Sequence, residues 1–262
     1  MAHYPYYYLA YSLLFLVTLT FILLKRKDLR RPALYLAALG AVLNPLSELL
    51  YYRDYWQPDN LLGRGRVSIE DVIFGASMYA LAVVIYPFLT GKRLPKAKPA
   101  LQQTQLLHAG GYIVAVAGLT VGGNLWLGIN SVIATGAACM LVTVATWVKR
   151  RDVMVPSLIT GVVSIVVVTA GYVLGLDVIA PHLLQSWWLL QGTPLGITFL
   201  GNVPLTELLW FFGVSNFFAS TYMSVTAQHY VAGRRPLLWR LHLPRSTPQP
   251  INSYIYREQG ID

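Results

Sequence analysis

The sequence predicts an all-α integral membrane protein of seven transmembrane helices, with the N-terminus outside and the C-terminus in the cytoplasm. Three observations carry that reading. Of the 262 residues 55% are apolar and only 12% charged, roughly half the charge of an ordinary soluble domain, and the mean hydropathy is +0.51. Seven apolar runs recur, each long enough to cross the ~30 Å hydrocarbon layer. The positive charges alternate with the connections: 17 Lys and Arg fall in the first, third and fifth connections and the tail, and 3 in the remaining ones. Such asymmetry sets orientation, so the net charge of +9 is read as a topology signal and nucleic-acid binding is excluded. The single Cys139 permits no internal disulfide.

The runs lie at about 6–24, 33–52, 69–90, 106–123, 128–148, 154–175 and 203–226. Helices are expected for all of them, because backbone polar groups in lipid must be bonded within their own segment. The first run lacks a basic flank and a small-residue cleavage site, so it reads as a helix and not a secretory signal. Lys25-Arg26-Lys27-Asp28 separates the first and second spans, and the polar stretch from Arg53 to Arg66 the second and third. Gly91-Lys92-Arg93 ends the third, and Gly122-Gly123-Asn124 is expected to end the fourth. Lys149-Arg150-Arg151-Asp152 ends the fifth, and an irregular segment from Asp177 to Asn202 leads into the seventh. Tyr4, Tyr6, Tyr7, Tyr8, Tyr51, Tyr52, Tyr55, Trp56, Trp187 and Trp188 are expected at the outer membrane rim. The tail 229–262, with Arg234, Arg235, Arg240 and Arg245 among prolines, reads as a surface extension facing anionic headgroups.

Carboxylates inside spans are costly, about 2.5–3.5 kcal/mol at a helix centre, and therefore mark function. Glu48 falls near the end of the second span, Glu70 and Asp71 in the first turn of the third, and Glu207 in the first turn of the seventh. All four share the outer level. Each acid at a helix start also complements the helix dipole, worth about 0.3–1 kcal/mol, but their joint placement points to a common site.

The third and seventh spans resemble each other at a constant offset of 136. Ser68-Ile69-Glu70-Asp71-Val72-Ile73-Phe74 aligns with Pro204-Leu205-Thr206-Glu207-Leu208-Leu209-Trp210, each after an aromatic-rich polar stretch. Ser suits a helix N-cap and Pro an early helical position. The pattern reads as two parallel three-helix repeats, residues 1–92 and 128–228, joined by a linker and fourth helix over 93–127, with the tail 229–262 outside both.

At these residues the chain resembles the membrane-embedded lycopene cyclase domain family, whose members occur as two-subunit actinobacterial enzymes and as fused archaeal and fungal proteins. The family signature is an aromatic–Pro segment leading to a Pro-x-Glu-Glu helix start followed by aromatics. Here Tyr55-Trp56-Gln57-Pro58 leads to Ser68-Ile69-Glu70-Asp71 and Phe74, and the second copy is Pro204-Leu205-Thr206-Glu207 with Trp210 and Phe211. Ser68 stands where the signature has Pro, Asp71 where it has the second Glu, and Thr206 where the second copy has its first Glu.

The resemblance implies a multi-pass cell-membrane enzyme that cyclises the end group of a linear carotenoid or related isoprenoid without a cofactor. Such a reaction is an acid/base isomerisation: an acid protonates the terminal double bond, the ring closes through a carbocation, and a base removes a proton. A carboxylic acid in an apolar site is a suitable donor, and aromatic faces stabilise the cation. The expected catalytic residues are Glu70, Asp71 and Glu207, with the adjacent Glu70–Asp71 pair as donor unit, since two close carboxylates cannot both ionise cheaply. Glu207 would face the cation, hydrogen-bonded by Thr206. Phe74, Trp210, Phe211, Glu48 and Trp56 would complete the substrate pocket. These acids are expected to face one cavity open to lipid.

Other chemistries find no support in the residues. His3, His108, His182, His229 and His242 are scattered without ligand spacing, so no metal is expected. There is no strand–GxGxxG–helix unit for a dinucleotide, no GxSxG elbow, and no lysine within 203–226 to carry retinal. The alternatives are a family member altered in catalysis that binds carotenoid or partners pathway enzymes or a second copy of itself, and a seven-helix transporter or receptor.

Overall fold

The computed structural model describes residues 5–63, 65–95, 103–175 and 183–231. Most of the tail 229–262, with its arginines and His242, and likewise His3, Tyr4 and His182, lie outside the described residues. Among the described residues, seven helices are long and apolar enough to cross a membrane. They are α1 (Pro5–Lys25), α2 (Arg30–Asp54), α3 (Ile69–Thr90), α4 (Gln103–Leu127), α5 (Ser131–Lys149), α6 (Met154–Gly175) and α8 (Leu205–Val225), with a short α7 (Leu183–Trp187) before the last. A two-residue antiparallel hairpin, Thr198–Phe199 with Val203–Pro204, leads into α8.

The helix ends follow from local chemistry. Ser68 closes a capping box on α3: its Oγ accepts from the Asp71 N–H while the Asp71 carboxylate accepts from the Ser68 N–H, an arrangement typically worth about 1 kcal/mol at the cap. Gly91 stops α3 in the left-handed region at φ 69, which costs glycine nothing. The fourth helix does not stop at Gly122-Gly123-Asn124 as expected but continues to Leu127. The glycines cost helix propensity, yet Gly123 packs on Ala134, and the break comes at Gly128 with φ 66. Asn130 then caps α5, and Asp54 ties the end of α2 to its start, accepting from the Ser131 N–H, the Ser131 hydroxyl and Asn124.

The core is built on α3 and α8, the two spans with the largest buried shares, 72% and 83%, whereas only 6% of α4 is buried. Helices α1 and α2 pack on α3, α5 and α6 pack on α8, and α4 lies outside against α5. Without a hydrophobic force between helices in lipid, close backbone approach supplies the packing. Gly40 of α2 meets Gly75 of α3 so tightly that a Cβ on Gly40 would sit 2.1 Å from the Gly75 carbonyl oxygen. Gly136 and Gly213 make the corresponding close contact between α5 and α8.

One end of the bundle is held by two arginines. Arg26 donates to the carbonyls of Pro87 (2.8 Å) and Lys92 (2.7 Å), and Arg150 to those of Met223 (3.4 Å) and Gln228 (2.9 Å). Each arginine is paired with the aspartate two residues on, Asp28 or Asp152, and each precedes a single 3₁₀ turn whose last residue, Leu29 or Val153, is buried. The acceptors at 87 and 223, and at 92 and 228, stand 136 residues apart, the offset that aligns the starts of α3 and α8.

Candidate active site

At the opposite end the connections before α3 and α8 lie across each other. Residue 56 bridges residue 188 in antiparallel fashion, with Gln57 N–H donating to the Trp187 carbonyl (2.8 Å) and Leu189 N–H to the Tyr55 carbonyl (2.9 Å). This crossing folds a layer of aromatic rings over the helix ends. Tyr8, Tyr55, Trp187 and Trp188 are thus buried within the protein, while Tyr6 remains 71% exposed. Trp187 is fastened by its indole N–H to Asp59 (3.2 Å), and Tyr8 packs edge-on against Trp56 with centroids 4.9 Å apart.

Beneath this layer lies a cavity lined by Tyr11, Asn44, Glu48, Tyr51, Tyr55, Trp56, Phe74, Val132, Tyr172, Glu207, Trp210 and Phe211. It adjoins a second one, under the aromatic layer, that shares Tyr11, Tyr55, Trp56, Tyr172 and Glu207 and adds Tyr7, Tyr8, Leu184, Trp187, Trp188 and Pro204. Two carboxylates face the first cavity. Glu48 projects from α2 and its Oε2 accepts from the Trp56 indole N–H (3.0 Å). Glu207 enters from the first turn of α8, with the phenols of Tyr55 and Tyr172 beside it. Among the described residues no cation pairs with either acid; the ion pairs gather around Asp28 and Asp152. The hydroxyls of Tyr11 and Tyr55 and the Trp188 indole N–H are buried without a hydrogen-bond partner. Burial raises the Tyr55 phenol well above its ordinary value, so at physiological pH it remains a donor.

The sequence expectation of three acids facing one cavity is corrected here. Glu207 lines it, but Asp71 and Glu70 do not. The two oxygens of Asp71 are taken by the Ser68 N–H (2.6 Å), the Ser68 hydroxyl (2.9 Å) and the Tyr8 hydroxyl. Glu70 turns the other way: its Oε1 accepts from the Leu61 N–H (2.9 Å), securing the loop before α3, while its Oε2 is buried without a partner. A one-residue step along a helix rotates a side chain by about 100°, and the bonds of Glu70 to Leu61 and of Asp71 to Ser68 and Tyr8 hold these two neighbours away from the cavity. The anticipated Thr206–Glu207 bond is also not formed; Thr206 Oγ1 is buried and unpartnered.

The structure gathers the aromatic residues named for the substrate pocket around this cavity. Phe74, Trp210, Phe211 and Trp56 all line the cavity with Glu48. Phe74 and Trp210 are near-parallel, 24° between planes and 6.3 Å between centroids, and Phe211 stands edge-on to Phe74. Trp210 is oriented by its N–H bond to the Tyr51 hydroxyl (2.9 Å). Sequence reasoning missed Tyr11, Asn44 and Tyr172 altogether. A signal existed for Asn44: it stands four residues before Glu48 on α2 and so shares its face. Its amide donates to the Asp71 carbonyl (3.1 Å) and thereby registers α2 against α3. No comparable signal marks Tyr172, since a tyrosine near the end of an apolar run is ordinary.

A search of curated proteins and a search of solved structures each returned no significant match. The family model described as lycopene cyclase matches residues 5–89 and 130–225. These two stretches carry α1–α3 and α5–α8, hence every residue lining the cavity, and leave out α4. With well over half of its length matched, this membrane protein belongs to the lycopene cyclase family.

Proposed function

We propose that the protein is a carotenoid end-group cyclase, acting by non-redox acid/base isomerisation on a linear, lycopene-like polyene, with the cavity between α2 and α8 as its active site. The observation that carries this reading is the pairing of Glu48 and Glu207 in one buried, cation-free chamber walled by Phe74, Trp210 and Phe211. Glu207 is assigned as the acid that delivers a proton to the terminal double bond. The resulting tertiary cation is attacked by the next double bond, forming the ring carbon–carbon bond and moving the positive charge into the ring. Aromatic faces stabilise that charge. Glu48, whose Oε2 is held by the Trp56 indole, takes a proton from a carbon adjacent to the charge, and a ring double bond forms. One proton is added and one is removed, so the product is an isomer of the substrate.

In this reading Asp71 and Glu70 are positioning residues. Asp71 sets the Tyr8 phenol under the aromatic layer and caps α3, and Glu70 holds the covering loop. The matched clamps of Arg26 and Arg150, with acceptors 136 residues apart, support an origin of residues 1–92 and 128–228 as two parallel repeats joined by α4. The charge distribution supports a cell-membrane orientation with the acid-bearing end outside and the arginine end in the cytoplasm. Expression in a lycopene-accumulating bacterium, followed by chromatography and mass spectrometry of the pigments, tests the activity. A cyclic product of unchanged mass is expected; persistence of the linear pigment alone, with the protein folded in the membrane, contradicts the reading.

A further inference from the structure

Two apolar channels run along the bundle below the active-site cavity. The first lies between α1 and α6 on a floor of α3, with Thr18 on one wall, Val163 and Val167 on the other, and Met78 and Leu81 beneath. The second lies between α2, α4 and α5. The channels differ in how they meet the site and in what they present to a hydrocarbon.

The first channel is separated from the cavity by Phe211, which lines both. Phe211 lies near-parallel to Phe15, 12° between planes at 5.9 Å, and no hydrogen bond fixes its ring. Its polar side chains are satisfied internally: Thr18 donates to the Leu14 carbonyl (2.8 Å), and Ser164 bonds Ser215 (2.8 Å). The wall is therefore wholly apolar toward an occupant. The second channel meets the cavity at Tyr51, whose hydroxyl is fixed by Thr135 (3.0 Å) and by Trp210 (2.9 Å). Its lining also includes Thr120, whose hydroxyl is buried without a partner.

We infer that the channel between α1 and α6 is the binding site for the conjugated chain of the substrate, entered sideways from the lipid, with the end group turned past Phe211 toward Glu207. The inference rests on the cyclase reading for the identity of the chain. From Met78 to Leu89 the floor of α3 runs about 16 Å at 1.5 Å per residue, so the channel seats an extended chain along the membrane normal. In the adjoining cavity Tyr11 meets Tyr172, centroids 6.0 Å apart, a contact made over Gly171, where a Cβ would lie 3.4 Å from the Tyr11 ring. One channel leading to one acid pair means that the two ends of a symmetric polyene are processed in separate visits.

The test uses the full chain purified from a lycopene-accumulating bacterium, with retained pigment and ring formation measured together. Val163→Trp, Val167→Trp and, from the facing wall, the milder Thr18→Phe fill the channel. Each is expected to lower co-purified lycopene, in a Glu207→Gln background that prevents turnover, by at least tenfold. Ala117→Trp in the second channel is expected to leave it unchanged. If the first-channel variants fold and retain the pigment of the parent, or if Ala117→Trp alone releases it, the assignment is overturned. Pigment that depends on the first channel in a wild-type protein forming no ring would support the channel and overturn the cyclase reading instead.

Discussion

Glu207→Gln is expected to abolish ring formation while leaving the protein folded and the linear substrate bound. The amide keeps the size and hydrogen-bonding capacity of the side chain but cannot deliver a proton, and general acid catalysis of this kind contributes about 10²–10⁴-fold. Glu48→Gln should fall in the same range, because a cation without a base reverts or is trapped. Asp71→Asn should have a smaller, graded effect. Its oxygens serve the Ser68 cap and the Tyr8 phenol, so its loss acts through position. Rate of pigment conversion, normalised to folded protein, separates the three. Full activity in the Glu207→Gln, Glu48→Gln double variant would assign both carboxylates to structure.

The largest expected effect on stability is at Gly40. A Cβ there would lie 2.1 Å from the Gly75 carbonyl oxygen, and both atoms belong to helix backbones that cannot yield separately. Overpacking in a fitted core costs about 1–3 kcal/mol, occasionally more; since the clash is with backbone, Gly40→Leu is expected to exceed that range and remove folded protein from the membrane. Gly118→Ala makes the contrast. Nothing lies within 4 Å of its would-be Cβ, and alanine is the better helix former, so its stability should match or slightly exceed the parent. Thermal unfolding in detergent, with the yield of monodisperse protein, measures both.

The spans were legible because the lipid imposes a length and an apolar composition that few other structures share. Their ends were less so. The stop at Gly122-Gly123-Asn124 was misplaced because Gly123 is accommodated against Ala134, a tertiary fact, whereas the Ser68 cap depends on four consecutive residues and was readable. The acids were found for the same reason as the spans, since charge in lipid is rare. What could not be read is direction: Glu70, Asp71 and Glu207 occupy similar first turns, and only the Leu61 N–H and the Ser68–Tyr8 pair decide that the first two turn from the cavity. Glu48 gained its place opposite Glu207 from the close packing of α2 on α3 at Gly40 and Gly75. The burial of the aromatic layer was not legible because Tyr and Trp have the same composition signal at a lipid interface and in a buried lid.

The central claim is that a solvent-exchanging acid starts ring closure by adding a proton and that a different proton leaves the substrate. It is tested by converting lycopene with the reconstituted protein in deuterated water and weighing the product. With Glu207 exchanging its proton with solvent before each turnover and Glu48 accepting the one that leaves, each ring formed should carry one deuterium. Rings formed with no deuterium would mean that ring closure takes no proton from a solvent-exchanging acid, and would contradict the account.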